Sequence, residues 1–125
     1  SGSPYLDYRG KVLAPEILPS MNDAKIVLNT ITWFKAGAHD RIFNGMLAKA
    51  VVVTDDSTYL RREFTDGREL VMFRRQELGT LPERVFDLFG HLERAQEIAD
   101  CGYAAARDGH TWKSRAEYLK ECFLT

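Results

Sequence analysis

The residues best suited to chemistry lie between positions 33 and 57. Arg41 falls on the first turn of an expected helix, where a guanidinium can grip phosphate or carboxylate through a two-pronged contact. The same side chain would also suit a solvated helix surface paired with Asp40 or another acid. Lys35, in the preceding loop, could add a point charge or remain in water. His39 could bond to a phosphate or sugar hydroxyl, relay a proton, or cap the helix. Trp33 and Phe34 offer planes for a base or sugar, or apolar filling for a core. Gly37 sits among small residues, Lys35-Ala36-Gly37-Ala38, that would let a ligand approach the backbone. The N–H groups that open a helix lack internal acceptors, so this end would attract an anion, above all a phosphate. Asp55, Asp56 and Ser57 close a second apolar run and could orient a sugar, although the same residue types make ordinary turns.

Positioning these groups requires strand, loop, helix and strand in succession. Residues 25–29 carry the apolar run Ile26-Val27-Leu28, and residues 50–53 carry another. Between them Ile42, Phe43, Met46 and Leu47 recur at helical spacing as a core stripe, leaving Asp40, Arg41 and Asn44 on a polar one. Two apolar strands joined by a helix pair in parallel and are covered on both faces. Ligands of such sheets bind beyond the carboxyl ends of the strands, which puts residues 30–38 and 54–57 on one rim.

The remaining residues extend this alternation. Residues 5–8, YLDY, read as a short strand, and residues 14–23 as a short or kinked helix with Ile17, Leu18 and Met21 on one side. Residues 59–64 suit a short helix, Asp66-Gly67 a turn, and residues 69–73 the last strand. Thr80-Leu81-Pro82-Glu83 has the spacing of a capping box, opening a helix through His91 with Leu81, Val85, Leu88 and Phe89 inward. Leu92, Ala95, Ile98, Ala99 and Gly102 carry a further apolar stripe to Asp108-Gly109. Thr111 can cap a final helix displaying Trp112, Ala116, Leu119 and Phe123. The expected class is α/β: a Rossmann-like three-layer half-domain with a short parallel sheet of about four strands and C-terminal helices.

Composition narrows the partners. In 125 residues, 17 basic side chains nearly cancel 18 acidic ones, so no overall field draws the chain to nucleic acid or an anionic membrane. The pairs Arg61-Arg62 and Arg74-Arg75 lie among acids without interleaved aromatics and read as solvated surface. No apolar run approaches the length of a membrane span, and no signal peptide is visible. Cys101 and Cys122 read as reduced thiols, consistent with a cytoplasmic protein. His91 and His110 are isolated, so no metal site is assigned. Ser1-Gly2-Ser3 resembles a vector-derived remnant, and residues 4–125 read as one partial domain without an internal boundary.

The segment LNTITWFKAGAHDRIFNGMLAKAVVVTD, followed by Tyr59-Leu60, Asp66-Gly67 and AAARDGHTWKSRA, resembles the donor-binding part of GT-B fold glycosyltransferases. The resemblance is especially to bacterial ones related to spore-maturation proteins. The resemblance implies the second half of a domain that binds a nucleotide diphosphate sugar as substrate, with no cofactor. The catalytic base and the acceptor-binding domain would lie N-terminal to it, and no catalytic residue is assigned within the chain. It also implies contact between Asn44 and ribose or sugar hydroxyls. Asn44 and Ala36 stand where related enzymes often carry a pair of glutamates, and Lys49 where glycine is common. Two alternatives are a non-catalytic α/β interaction module that kept the scaffold, and a receiver-type phosphoacceptor, for which only Asp55-Asp56 is in place.

Overall fold

Three successive valines and a threonine form the centre of the molecule. Val51, Val52, Val53 and Thr54 are each at most 2% exposed, as expected for β-branched residues in a strand with neighbours on every side. The computed structural model describes residue 4, residues 7–31, residue 33 and residues 35–124. Its elements are α1 (Ala14–Asn22), β1 (Ile26–Asn29), α2 (Asp40–Leu47), β2 (Val51–Asp55), α3 (Thr58–Glu63), β3 (Val71–Phe73), α4 (Leu81–Gly90), α5 (Leu92–Gly109) and α6 (Trp112–Leu124). A 3-10 helix over Arg75–Thr80 leads into α4. The strands run parallel in the order β1-β2-β3, with Ile26 opposite Val51 and Val53 opposite Val71.

Alternation along the strands divides the core. Val52, Leu70 and Met72 face Ile42 and Met46 of α2, Leu60 and Phe64 around α3, and Ala106 of α5. Val51, Val53, Val71 and Phe73 face Leu88 of α4 and Ile98 and Ala99 of α5. The result is an α/β Rossmann-like half-domain with helices on both faces. Helix α5 serves both layers by crossing the molecule at Gly102, where a Cβ would stand 2.5 Å from the carbonyl oxygen of Glu69. No side chain fits at that crossing.

The short turn from α2 into β2 fixes which face of the helix meets the sheet. Ala50 N–H donates to Gly45 O across Lys49, whose φ is +60°. This is the left-handed closure that usually selects glycine. Lys49 tolerates it with its ammonium 4.7 Å from the centre of the Tyr103 ring. At the other edge of the sheet, Met72 N–H donates to the Asp66 carboxylate at 2.7 Å and Met72 O accepts from Arg84 at 2.7 Å. The Asp66-Gly67 turn that supplies this carboxylate places Gly67 at φ +82°.

Several expectations are corrected. The described sheet has three strands; Tyr5 and Leu6 of the expected fourth lie outside the described residues, and Asp7 and Tyr8 form none. Among the described residues no strand precedes α1, and α1 buries none of its residues. Leu28 is 57% exposed because β1 is an edge strand covered on one side only. Thr80 does not cap α4 with its side chain, because the incoming 3-10 helix holds it in a helical conformation. Its hydroxyl donates instead to Glu77 O. Phe89 and Leu92, expected inward, lie exposed at the α4–α5 junction.

Helix α6 buries none of its residues, although Thr111 caps it by accepting from Ser114 N–H at 3.1 Å. Its attachment is polar. Arg115 bonds to Tyr59 Oη and lies 2.8 Å from His110 Nδ1, while the His110 ring stacks on Phe43 with centroids 5.1 Å apart. Burial, then the nearby Arg115 charge, lowers the His110 pKa from its ordinary value, against a weaker opposing effect of Glu63.

Two outcomes follow from this packing. Gly102→Ala should lower unfolding stability by about 1–3 kcal/mol in denaturant titrations, whereas Gly109→Ala, with no atom near its added methyl, should not. Because the His110 pKa is depressed by folding, its contribution is fully present above the ordinary value and is lost as pH falls through the folded-state value. Stability should therefore decline as pH falls below the ordinary histidine value of about 6.5, and His110→Phe should flatten that part of the profile.

Candidate functional site

The carboxyl ends of the strands are joined by a polar chain. Asn29, the last residue of β1, is buried and donates from Nδ2 to Thr54 Oγ1 at 3.0 Å. Its Oδ1 accepts from an Arg41 guanidinium nitrogen at 2.9 Å. Thr54 Oγ1 lies 3.1 Å from the Asp55 carbonyl oxygen, to which it can donate. The Asp55 carboxylate accepts from Ile31 N–H at 3.0 Å and Thr30 Oγ1 at 3.2 Å. Strand exits, the loop after β1 and the first turn of α2 are thus locked together across 25 residues of sequence.

The expected site residues reach this rim in different conditions. Gly37 and His39 line a narrow cleft with Asn29, Thr54, Asp55 and Ser57, and Arg41, outside that lining, bonds to Asn29. The other guanidinium N–H groups of Arg41 have no acceptor among the described residues. Its partner is neither Asp40 nor another acid, the alternatives weighed from sequence. Asn44 follows Arg41 by three positions and is half-buried. Lys35 is exposed; its carbonyl accepts from Thr58 N–H at 3.2 Å, tying the β1 loop to α3. Trp33 is 84% exposed, which rules out a core role, while Phe34 lies outside the described residues.

Two of these side chains already have local work. Ser57 is buried and caps α3 by accepting from Leu60 N–H at 3.1 Å. Asp55 anchors the loop as described. The opening of α2 is also less free than expected, because Ile42 N–H reaches His39 O at 3.0 Å. His39 Nδ1 lies 3.1 Å from Arg41 N and 2.7 Å from Asp40 Oδ1. A single ring nitrogen cannot serve both neighbours: its lone pair caps Arg41 N–H, or its proton bonds Asp40. The helix start is consequently a self-capped end whose main available donors belong to the Arg41 side chain.

The larger concavity of the rim was missed from sequence. Beside the narrow cleft and sharing Ile31, Asp55, Asp56 and Ser57 with it, an open basin of about 730 Å³ is lined by Lys35, Arg61, Arg74 and Arg75. Arg62 does not line it; that side chain pairs with Glu63 at 3.2 Å. The two arginine pairs therefore belong to one surface only in part. Arg74 and Arg75 follow β3 directly, so the rule that singled out residues 54–57 at the end of β2 applies to them equally.

Among the described residues no group of His, Cys, Asp and Glu side chains has the arrangement of a metal site. No described helix is long and apolar enough to cross a membrane. Cys101 and Cys122 are both exposed and without a disulfide. No curated protein matches the chain. A family described as glycosyl transferase-like matches residues 1–121, which is nearly the whole sequence. With its parallel α/β scaffold and polar carboxyl rim, the chain belongs to this glycosyl transferase-like family.

Proposed function

We propose that the chain is the donor-binding portion of a GT-B glycosyltransferase similar to the bacterial spore-maturation group, and that residues 35–41 receive the diphosphate of a nucleotide sugar. The observation that carries this reading is the bond from Arg41 to Asn29, itself held by buried Thr54. One edge of a flexible cation is thereby fixed at the strand ends, while its remaining donors stay available.

The chemistry follows from that placement. When the bond between the anomeric carbon and the diphosphate oxygen breaks, its electron pair leaves with the diphosphate and negative charge grows there. A guanidinium already oriented toward that charge stabilises it without reorganising, and does so without a bound metal. The acceptor hydroxyl forms the new bond and gives its proton to a base contributed by an acceptor-binding domain. Asn44 offers its amide to ribose or sugar hydroxyls, Lys35 adds diffuse positive charge, and Trp33 presents a face for stacking. Gly37 and His39 form the cleft wall, whereas Asp55 and Ser57 act by fixing its shape. A cytoplasmic setting belongs to the same reading.

A non-catalytic interaction module is the competing reading, favoured by the neutral Asn44 and by the Asp40 carboxylate at the mouth of α2. Calorimetric titration with a panel of nucleoside diphosphates and nucleotide sugars separates the two. At least one should bind without being turned over by the chain alone. Arg41→Ala should weaken that binding about tenfold or more, the value of a lost charged hydrogen bond, and Arg41→Lys should restore it only in part. Absence of binding, or affinity indifferent to Arg41→Ala, would favour the module.

A further inference from the structure

We propose that the basin lined by Lys35, Arg61, Arg74 and Arg75 binds a second anionic group of the substrates, a carboxylate or phosphate on the transferred sugar or the acceptor. This rests on the donor reading above, which places the diphosphate at residues 35–41, beside the basin.

The first support is how these cations are left. Among the described residues outside the basin, Arg9, Arg62, Arg68, Arg84, Arg94 and Arg107 each pair with a carboxylate, while Arg41 bonds to Asn29 and Arg115 to Tyr59. In the basin only Arg61 does so, to Asp56 at 3.0 Å. The side chains of Lys35, Arg74 and Arg75 have no partner among the described residues. The other carboxylate in the lining, Asp55, is occupied by Ile31 N–H. A chain with a formal net charge of −1 thus gathers unpaired positive charge in one concavity. Like charges collected in this way repel, and an anion relieves the repulsion.

The second support is that the frame is fixed. Asp56 N–H donates to Phe73 O at 3.0 Å and Thr58 N–H donates to Lys35 O at 3.2 Å, stitching together the exits of all three strands. The Glu77 carboxylate accepts from Arg74 N–H at 2.9 Å and sets the backbone that carries both arginines. Ile31, Asp55, Asp56 and Ser57 line both the basin and the narrow cleft, and Lys35 brings the 35–41 segment to the basin's edge. A sugar bonded to a diphosphate held by residues 35–41 would lie at the basin, and an acceptor must approach that sugar. Forked guanidinium donors match carboxylate or phosphate on either.

The test is titration calorimetry of the chain at low ionic strength with two matched pairs. UDP-glucose and UDP-glucuronate differ by one sugar carboxylate; glucose and glucose 6-phosphate, each in excess UDP, represent an uncharged and a charged acceptor. The acidic member of at least one pair should bind about fivefold tighter, and the pair that shows the preference identifies which substrate carries the charge. The double variant R74Q/R75Q should abolish the preference, while R68Q, altering an arginine outside the basin, should retain it. Equal affinities in both pairs, or a preference that survives R74Q/R75Q, would overturn the proposal. UDP alone reports on the cleft and should bind R74Q/R75Q as it binds the parent. If UDP fails to bind while glucose 6-phosphate still binds in an Arg74- and Arg75-dependent way, the donor assignment falls and the basin stands.

Discussion

The hydrogen bond between Asn29 and Thr54 is the constraint on which the rim depends. It lies at the ends of neighbouring parallel strands, and both of its residues are buried. A buried amide must satisfy its donors and its acceptor, and Thr54 and Arg41 do so from opposite sides. Removing either residue would break more than one contact, because Asn29 positions Arg41 and Thr54 reaches Asp55. Polar groups at the strand ends therefore do the orienting that apolar packing does in the middle of the sheet.

The middle of the sheet was the most legible part of the sequence. Ile42, Met46 and the Val51-Val52-Val53 run announced themselves by period, and they form the core as that period requires. The stop after α5 and the Thr111 cap were also readable, since each rests on a local signal. What escaped was set by neighbours distant in sequence. Leu28 looks like any apolar strand residue, yet whether a strand lies at an edge depends on what pairs beside it. Thr80 has the spacing of a cap, but the preceding 3-10 helix decides its backbone angles and so removes the geometry that capping needs.

The rim was half legible for the same reason. Placing Gly37, His39, Arg41 and Asp55 together required only the parallel strand rule. The partner of Arg41 did not follow from that rule: Asn29 is 12 positions away and gave no charge signal. The arginine doublets misled in another way. Read along the chain, Arg61-Arg62 and Arg74-Arg75 are mixed with acids, but in space Arg62 turns to Glu63 while the Arg74 and Arg75 guanidinium groups form no ion pair among the described residues. Local composition averages over directions that the fold separates. Lys49 illustrates the converse, in which a glycine-favouring position holds a bulky residue, here with its ammonium over the Tyr103 ring.

The two margins of the sheet are chemically unlike. At β3 the Met72 amide is consumed by Asp66 and its carbonyl by Arg84, so a charged pair occupies the place where another strand would dock. At β1 no such plug exists among the described residues, and Leu28 lies uncovered. Sheet extension, whether by additional chain or by aberrant self-association, is thereby directional: it can begin beside Leu28 and is blocked beside Met72.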